Sequence, residues 1–478
     1  MHVRTSQSIL AALVAATALF LAGCNAATTG AAAPPTTITS ATTPVPVSIT
    51  DAPDDQVLAA TLTLNSVVLT DAKGATASLL SAPLTFEATH LDSVQEPLFT
   101  PVVPQDTYVS VTLTYSNAVV AYLDPASKQL ITANATLANT SQTVTFPTPI
   151  TVANSSTALL VDFLVAKSVA ISGSAVTVTP TFNVAPAPVS AQPTNGLNGL
   201  ECGVRGQITA MGTNQFTLLN GHGISMTVNV NSNTRYEGMN LTAFSGLAVG
   251  MFVEVDIQIQ ADASLLATRV EEHAAPNPSG EMLVGPVIAV AGSPATSFTQ
   301  VVRQKFGATS SAAVEKDTIN IDSNTKFLLP GRLQDLEHGD SAMPTSYTFS
   351  AATLFAGQVV AVSTTNLSNN TATANTVALA PQTVGGTVTA AVFPACIPCT
   401  GQVTLTIPSD SWLATVTGKT TVVVEVPTSN AFQVLGNGSV TVGSTVRFNG
   451  FLFNNNGTLT LLALVQGPGK GNPIEPHD

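Results

Sequence analysis

After residue 47, most of the chain consists of short β-branched segments in which apolar and polar residues alternate. Residues 108–122 show the pattern clearly, because serine or threonine separates successive apolar residues in its first half. Alternation with a period of two gives a strand one apolar face, and Gly, Pro, Asn or Asp residues bound the segments. The pattern predicts an all-β protein. The apolar face of this example comprises Val109, Val111, Leu113 and Tyr115.

The first candidate domain spans residues 47–185. Strands at short spacing without a convincing amphipathic helix favour a β-sandwich of the immunoglobulin or transthyretin type. A Pro-rich linker, residues 186–200, follows this domain. The candidate strands of the domain are residues 57–70, 108–122, 158–171 and 175–184.

A different pattern begins after the linker and occurs three times, over residues 201–274, 285–381 and 382–467. Each copy has a glycine-started strand, a hairpin, an Asn/Thr-rich turn, a valine-rich strand after a glycine, and a closing strand. A short sheet of this kind avoids exposed edges by curling up, so we predict three small antiparallel β-barrels. Residues 275–284 form a second linker. The second copy carries polar insertions at residues 303–316 and 330–347.

Both ends of the folded part have compositions that do not favour a core. Residues 24–46 are mainly Ala, Thr, Ser and Pro, which predicts an extended tether. Residues 468–478 are rich in Gly and Pro and predict a disordered tail.

Residues 1–23 are typical of a secretory signal peptide. Weak positive charge precedes an uncharged apolar run at residues 9–21, which is too short to be a comfortable membrane span. The segment ends in Leu-Ala-Gly-Cys24, which resembles the lipobox of bacterial lipoproteins. The resemblance implies that the chain is cut before Cys24, that the Cys24 thiol carries a diacylglycerol, and that the new amine is acylated. Asn25 implies the outer membrane, because lipoproteins retained at the inner membrane commonly carry Asp there.

Two further resemblances concern the folded part. Ile49-Thr-Asp-Ala-Pro53, Leu91-Asp92 and the strand at residues 159–163 resemble an uncharacterised domain found near the N-terminus of many bacterial lipoproteins. The repeated unit is similar to a second uncharacterised bacterial family of small β-domains, often found in tandem in envelope proteins. Both resemblances imply a β fold and an envelope location, and neither implies an activity.

The charge balance excludes some classes of partner. Charged residues make up 9 % of the chain, against roughly 25 % in an average globular protein. The formal net charge is −13, and no basic cluster occurs. Binding to nucleic acid, or to an anionic membrane surface by charge, is therefore not expected.

Four cysteines occur, and Cys202, Cys396 and Cys399 remain if lipid consumes Cys24. The spacing of Cys396 and Cys399 is that of a thiol redox pair, but the motif lies between two predicted strands rather than before a helix. We favour a hairpin disulfide between them over a metal half-site or a redox role. Cys202 has no obvious partner.

The histidines do not form a recognisable metal or catalytic motif. His90, His222, His273 and His338 stand alone, without a close ligand spacing, so we expect surface or loop histidines rather than ligands assembled in space. A Ser341 nucleophile beside His338 lacks the Gly-x-Ser-x-Gly elbow. The sequence therefore predicts no catalytic, cofactor or metal site.

Two oxygen-rich groups and one aromatic residue complete the candidates. Calcium needs six to eight oxygen ligands, so Asx turns are favoured over calcium sites in both groups. Trp412 is the one tryptophan, which is little for stacking on sugar rings. The oxygen-rich groups are Asp51, Asp54 and Asp55, and Asn320, Asp322 and Asn324.

These observations lead us to expect a non-enzymatic, lipid-anchored envelope protein with a structural, adhesive or binding role and no cofactor. Its four domains would form a rod, and the lipid on Cys24 would be its contact with the membrane. A module that binds carbohydrate or another small ligand is the first alternative. A hydrolytic or thiol-redox enzyme is the second. An envelope protein or a glycan is the expected partner.

Overall fold

The computed structural model describes most of the chain after residue 40. The described residues are 41–51, 54–92, 94–153, 157–187, 189, 200–238, 241–274, 277, 279–307, 314–329, 347–393, 400–427, 433–434 and 440–468. Strands dominate throughout these ranges, and the predicted all-β class is confirmed.

The N-terminal domain, residues 41–187, contains two larger sheets whose apolar side chains meet in one core. One sheet has the order β11-β8-β3-β4, with β5 on β3 and β9 on β8, and the other has the order β15-β12-β2-β6. The strands are β1 Thr42–Pro44, β2 Val47–Asp51, β3 Val57–Asp71, β4 Thr76–Ser78, β5 Leu84–Glu87, β6 Glu96–Phe99, β7 Val102–Pro104, β8 Thr107–Leu123, β9 Leu130–Asn134, β10 Thr136–Leu137, β11 Ser141–Thr151, β12 Ala158–Phe163, β13 Val169–Ser172, β14 Ala175–Val178 and β15 Phe182–Ala187.

The long pair β3 and β8 follows the alternation of the sequence. Val111, Leu113 and Tyr115 are buried as predicted, at 0 to 1 % exposure. Val109 is only half-buried, and Tyr108 is buried in its place. The reason is a bulge, because Thr70 pairs with Ser110 while the next residue of β3 pairs with Tyr108. A bulge shifts the side-chain alternation by one position.

Two predicted boundaries in this domain need correction. Residues 158–171 do not form one strand, because helix α1 Val165–Ser168 follows β12 and precedes β13. The predicted tether does not extend to residue 46, because Thr42–Pro44 pair with β7 and Val45 is fully buried. The polar composition of this stretch hid a short strand. Residues 24–40 of the predicted tether lie outside the described residues.

Barrels 1 and 3, at residues 200–274 and 382–468, have the same strand order. In the described residues, β18-β17-β16-β20-β21 and β32-β31-β30-β34-β35 each form a ring, closed by β18–β21 and β32–β35. The closing pairs are parallel, which corrects the fully antiparallel expectation, because an odd ring of alternating strands cannot close otherwise. The strands are β16 Leu200–Gly212, β17 Gln215–Asn220, β18 Ser225–Asn229, β19 Arg235–Glu237, β20 Phe252–Ile259 and β21 Leu265–Ala274, and β30 Gln382–Val392, β31 Thr400–Thr406, β32 Thr421–Pro427, β33 Gln433–Val434, β34 Thr445–Asn455 and β35 Thr458–Pro468.

Barrel 2, residues 279–380, is a variant of this ring with a divided last strand. One part of the divided strand, β28, pairs with β25, and the other, β29, pairs with β27. Part of the predicted insertion at residues 303–316 is a strand, β24, paired with β22. The strands are β22 Glu281–Gly292, β23 Ala295–Val302, β24 Gln304–Gly307, β25 Glu315–Asn320, β26 Lys326–Leu328, β27 Val359–Thr364, β28 Thr371–Thr373 and β29 Thr376–Ala380.

Helix α2, Trp412–Thr417, lies between β31 and β32 of barrel 3.

The domains share apolar cores, which differs from the rod of separate domains that the sequence suggested. One core joins Leu58 of the N-terminal domain with Phe252 of barrel 1, Met282 of barrel 2 and Val446 of barrel 3. A second joins Ala158 to barrel 1, and a third joins barrels 2 and 3. Shared cores hold the domains against each other.

No helix in the described ranges has the length and apolar character that a membrane crossing requires.

Candidate metal centre

Glu87 shapes the first part of the site. It ends β5, and a turn of 3-10 helix at Thr89–Leu91 follows. Its Oε1 accepts the N–H groups of Ala60 and Thr89, both at 3.0 Å, and its Oε2 accepts the N–H of His90 at 3.0 Å. A carboxylate that accepts these donors fixes the turn, and the turn directs the His90 side chain towards Glu96 at the start of β6.

A tight turn of barrel 1 supplies the second histidine. His222 lies between β17 and β18, where Asn220 Oδ1 accepts its N–H at 3.0 Å. Gly221 faces β24, and a Cβ there would lie 3.3 Å from the Phe306 ring. A side chain at residue 221 would therefore require the turn or the Phe306 ring to shift by a few tenths of an ångström. The close approach of this turn to barrel 2 accompanies the contact of His222 with Glu96 of the N-terminal domain.

His90, Glu96 and His222 form what we call the junction cluster. His90 Nε2 lies 3.3 Å from Glu96 Oε1, and His222 Nε2 lies 3.1 Å from Glu96 Oε2. The two imidazole rings are 5.1 Å apart between centroids. The side chains are 5 %, 1 % and 1 % exposed, so the cluster is closed to solvent. Gln304 of β24 donates to Glu96 Oε1 at 3.3 Å, which brings barrel 2 to the same point.

The short distances in the junction cluster are ion-pair distances at angles that do not suit a strict hydrogen bond. His90 Nε2, Glu96 Oε2 and His222 Nε2 have no hydrogen-bond partner of good geometry, although each lies close to another member. His90 Nδ1, by contrast, lies 3.0 Å from Glu87 Oε2 in a hydrogen bond. Two imidazole nitrogens and a carboxylate oxygen lie within 4.8 Å of one another here, and together they could hold a metal ion.

The electrostatics show which form the cluster takes without a metal. Burial alone would lower the pKa of His90, but Glu96 and Glu87 raise the pKa to about 9. Burial alone would raise the pKa of Glu96, but the charge of His90 and the neighbouring His222 hold this pKa well below its usual range. At neutral pH, Glu96 is therefore a carboxylate and His90 carries a proton in the metal-free protein.

A second group of similar residues lies inside barrel 1. Glu254, Glu271 and His273 also bring three donor atoms together. Here Arg269 donates to Glu254 at 3.2 Å and also to Glu271, and Arg205 lies 2.9 Å from Glu254. The guanidinium groups already neutralise these carboxylates, so the group is an ion-pair network. The arginine network comprises Arg205, Glu254, Asp256, Arg269 and Glu271.

The sequence predicted surface or loop histidines. His90 and His222 do lie in turns and His273 lies in β21, but all three side chains are buried, at 5 %, 1 % and 4 % exposure. Sequence spacing gave no signal for the junction cluster, because His222 lies in a different domain from His90 and Glu96. The sequence contains one local signal, Asn220-Gly-His222-Gly, which predicts a tight turn. It does not predict which domain this turn contacts.

Several predicted site residues lie outside the described residues, so the roles assigned to them stay predictions. These are Cys24, Cys396, Cys399, His338 and Ser341. Cys202 lies in β16.

The acidic candidates of the N-terminal domain separate into different roles. Asp51 lies in β2, and its Oδ1 accepts the N–H of Val165 at 3.1 Å. Asp54 accepts the amide N–H two residues later at 2.8 Å, which is an Asx turn. Asp55 lies 3.3 Å from Arg447 of β34 and is an ion-pair partner rather than a turn residue.

The group in barrel 2 lies at an exposed turn. Asp322 accepts the N–H of Asn324 at 2.8 Å and of Thr325 at 3.1 Å, so the favoured Asx turn is present. Asn320 ends β25 and is also exposed.

Trp412 does not offer an open platform for a sugar ring. It begins α2, is 7 % exposed, and lies 5.9 Å from the Arg303 guanidinium. Trp412 is therefore not a candidate for stacking on a sugar ring.

Comparison with known families covers two parts of the chain. Residues 42–180 match the family described as Domain of unknown function (DUF4382), and residues 205–271 match Domain of unknown function (DUF5666). No curated protein matches the chain. The second match begins at Arg205 and ends at Glu271, so it contains the whole arginine network. The all-β chain thus contains two segments that are similar to domains of unknown function.

Proposed function

We propose that this is a non-enzymatic, lipid-anchored protein of the bacterial cell envelope with a structural, adhesive or binding role. The junction cluster carries the proposal. It has the groups that general acid–base catalysis would use, yet its histidine and glutamate side chains are at most 5 % exposed. A substrate cannot reach such a site without separating the domains, so the cluster serves to hold them together.

The shared cores support the same role. Residues of the N-terminal domain pack with residues of all three barrels, which favours one stiff unit over independently moving modules. A stiff unit suits a protein that must hold a surface at a fixed distance from its anchor. The lipid on Cys24 supplies that anchor in this proposal, and the lipobox-like end of the signal segment supports it. The two or three acyl chains of a bacterial lipoprotein hold a protein firmly, whereas one chain does so only marginally.

Membrane fractionation tests the anchor. Wild type and Cys24→Ala are expressed in a two-membrane bacterium and labelled with radioactive palmitate. We expect label and outer-membrane location for wild type and neither for the variant. Cys202→Ala is the matched control and keeps both. A Cys24→Ala protein that still carries label and stays in the membrane would contradict the proposal.

Thermal unfolding tests the stiff unit separately. Because the domains share cores, we expect wild type to unfold in one main calorimetric transition rather than four. Well-separated transitions, one for each domain, would contradict the structural role without affecting the anchor.

A further inference from the structure

We propose that the junction cluster binds one divalent transition-metal ion of the zinc class, through His90 Nε2, the Glu96 carboxylate and His222 Nε2. The ion would join the N-terminal domain to barrel 1. This inference does not depend on the lipid anchor, because it concerns only the folded part of the chain.

The spacing of the donor atoms fits a tetrahedral ion. Metal–ligand bonds of about 2.0 to 2.1 Å at tetrahedral angles place neighbouring ligand atoms about 3.3 Å apart. His90 Nε2 lies 3.3 Å from Glu96 Oε1 and His222 Nε2 lies 3.1 Å from Glu96 Oε2, and one donor atom of each side chain lies within 4.8 Å of the other two. The donor atoms are already neighbours, and binding one ion would draw them closer together.

The orientation of the side chains is the second argument. Ring nitrogens at 3.1 to 3.3 Å from a carboxylate normally hydrogen-bond to it with good geometry, but His90 Nε2 and His222 Nε2 approach Glu96 at angles unsuited to a hydrogen bond. Buried polar atoms without a partner are rare in folded proteins and call for an explanation. An ion between the three side chains gives each of these atoms a partner.

Glu87 accepts a hydrogen bond from the second ring nitrogen of His90, as a carboxylate or carbonyl usually does for a metal-binding histidine. Its Oε2 lies 3.0 Å from His90 Nδ1, so Nδ1 holds the proton of the neutral ring and Nε2 is free to bind an ion. Gln304 has an amide oxygen without a partner, and its amide lies 3.3 Å from Glu96 Oε1. A rotated amide would offer this oxygen as a fourth donor.

The donor types select the class of metal. Imidazole nitrogen with one carboxylate suits Zn²⁺ and similar ions, whereas Ca²⁺ and Mg²⁺ prefer sets of oxygen ligands. Charge agrees, because a divalent ion would offset the buried carboxylates of Glu87 and Glu96. The position of His222 in a different domain makes the ion a cross-link.

The full-length protein in detergent provides the test. Protein stripped with a chelator and reloaded with Zn²⁺ should hold one ion at this site and show a higher Tm, while Ca²⁺ and Mg²⁺ leave Tm unchanged. Co²⁺ should give the absorption bands of a tetrahedral site. Wild-type protein with no bound Zn²⁺ and no change in Tm would overturn the proposal.

Variants locate the ion. His222→Leu and the near-isosteric Glu96→Gln should lose stoichiometric Zn²⁺ binding and the rise in Tm. The matched control is His273→Leu, which removes an equally buried histidine beside the arginine network and should keep both. Equal Zn²⁺ binding by wild type and a folded Glu96→Gln protein would overturn the assignment.

X-ray absorption at the zinc edge covers the case in which these variants fail to fold. Zinc-loaded wild type should show nitrogen and oxygen ligands, including two imidazoles. Sulfur ligands would place the ion at the cysteines instead and would overturn the proposal.

Discussion

The junction cluster and the barrel 1 group of Glu254, Glu271 and His273 contain the same kinds of metal-binding side chain, yet they differ in what neutralises their carboxylates. Both bring histidine and glutamate together in buried positions. In the arginine network, Arg269 and Arg205 hold the carboxylates from neighbouring strands of one barrel. In the junction cluster, the ion pairs of Glu96 among the described residues are with His90 and His222, the candidate ligands themselves. A histidine nitrogen without a hydrogen-bond partner occurs in both groups, so the arginines beside the carboxylates of barrel 1 are the main difference between them.

The difference also reflects how the two groups are built. Glu254 and Glu271 are cross-strand neighbours on β20 and β21, and Arg205 pairs with Glu254 from β16. Strand pairing within barrel 1 is enough to assemble that network. The junction cluster instead needs a turn of barrel 1 to dock on the N-terminal domain. It is formed by tertiary packing and not by one sheet.

The largest effect is expected when Arg269 of the arginine network is removed. Arg269→Met leaves several buried carboxylates without their main partner, which should lower the free energy of unfolding by about 3 to 5 kcal/mol. Urea unfolding of wild type and variant measures the change. A loss below about 1 kcal/mol would show that the network contributes little beyond its desolvation cost.

Asp162, a buried carboxylate in β12, lies outside both groups. Its contribution to stability should be lost as pH rises, whereas that of an ion-paired carboxylate is lost as pH falls. Both oxygens of Asp162 in β12 lack hydrogen-bond partners among the described residues. Burial raises the pKa of Asp162 to about 7, although Lys167 opposes the shift. The folded state therefore holds this proton more tightly than the unfolded state. The stability contribution of Asp162 should be lost as pH rises from about 4 to 7, by at most about 4 kcal/mol.

Asp162→Asn should remove this pH dependence and raise Tm at pH 8 relative to wild type. Melting curves from pH 4 to 8 provide the measurement. The matched control is Asp124→Asn, because hydrogen bonds from Ser127 lower the pKa of Asp124. That variant should lose stability at neutral pH. An Asp162→Asn protein that melts earlier than wild type at pH 8 would contradict the expectation.

A smaller effect is expected from the outer support of the junction cluster. Glu87→Gln replaces one acceptor oxygen with an amide that cannot receive the proton of His90. The affinity for Zn²⁺ should fall by about 10- to 100-fold. Competition with a coloured chelator measures this change. Glu281→Gln, at the Lys305 ion pair of barrel 2, is the control and should leave zinc affinity unaltered.

The smallest effect is expected at an exposed ion pair beside the arginine network. The side chain of Arg235 is 64 % exposed and lies 3.1 Å from Glu237. Arg235→Met should change the free energy of unfolding by about 0.5 kcal/mol or less, because water screens this pair. A loss of unfolding free energy as large as that of Arg269→Met would show that the exposed ion pair contributes as much as the buried ones.

The sequence pattern predicted the strands better than their ends. β3 and β8 lie where residues 57–70 and 108–122 alternate, because burial of one sheet face imposes a period of two. The bulge at Val109 and the helical turn after Phe163 did not follow from that pattern. Both depend on which neighbouring strand pairs with the segment. That choice is made in three dimensions.

The sequence by itself determined the all-β class, the three-fold repeat and the acidic net charge, because alternation, internal repetition and charge are properties of the chain alone. Only the tertiary structure decided that the domains share cores, that each ring closes through a parallel pair, and that His90 and His222 meet at Glu96. The physical reason is distance along the chain. A turn of barrel 1 contacts the N-terminal domain only when separate apolar surfaces pack together, and no local pattern records which surfaces those are.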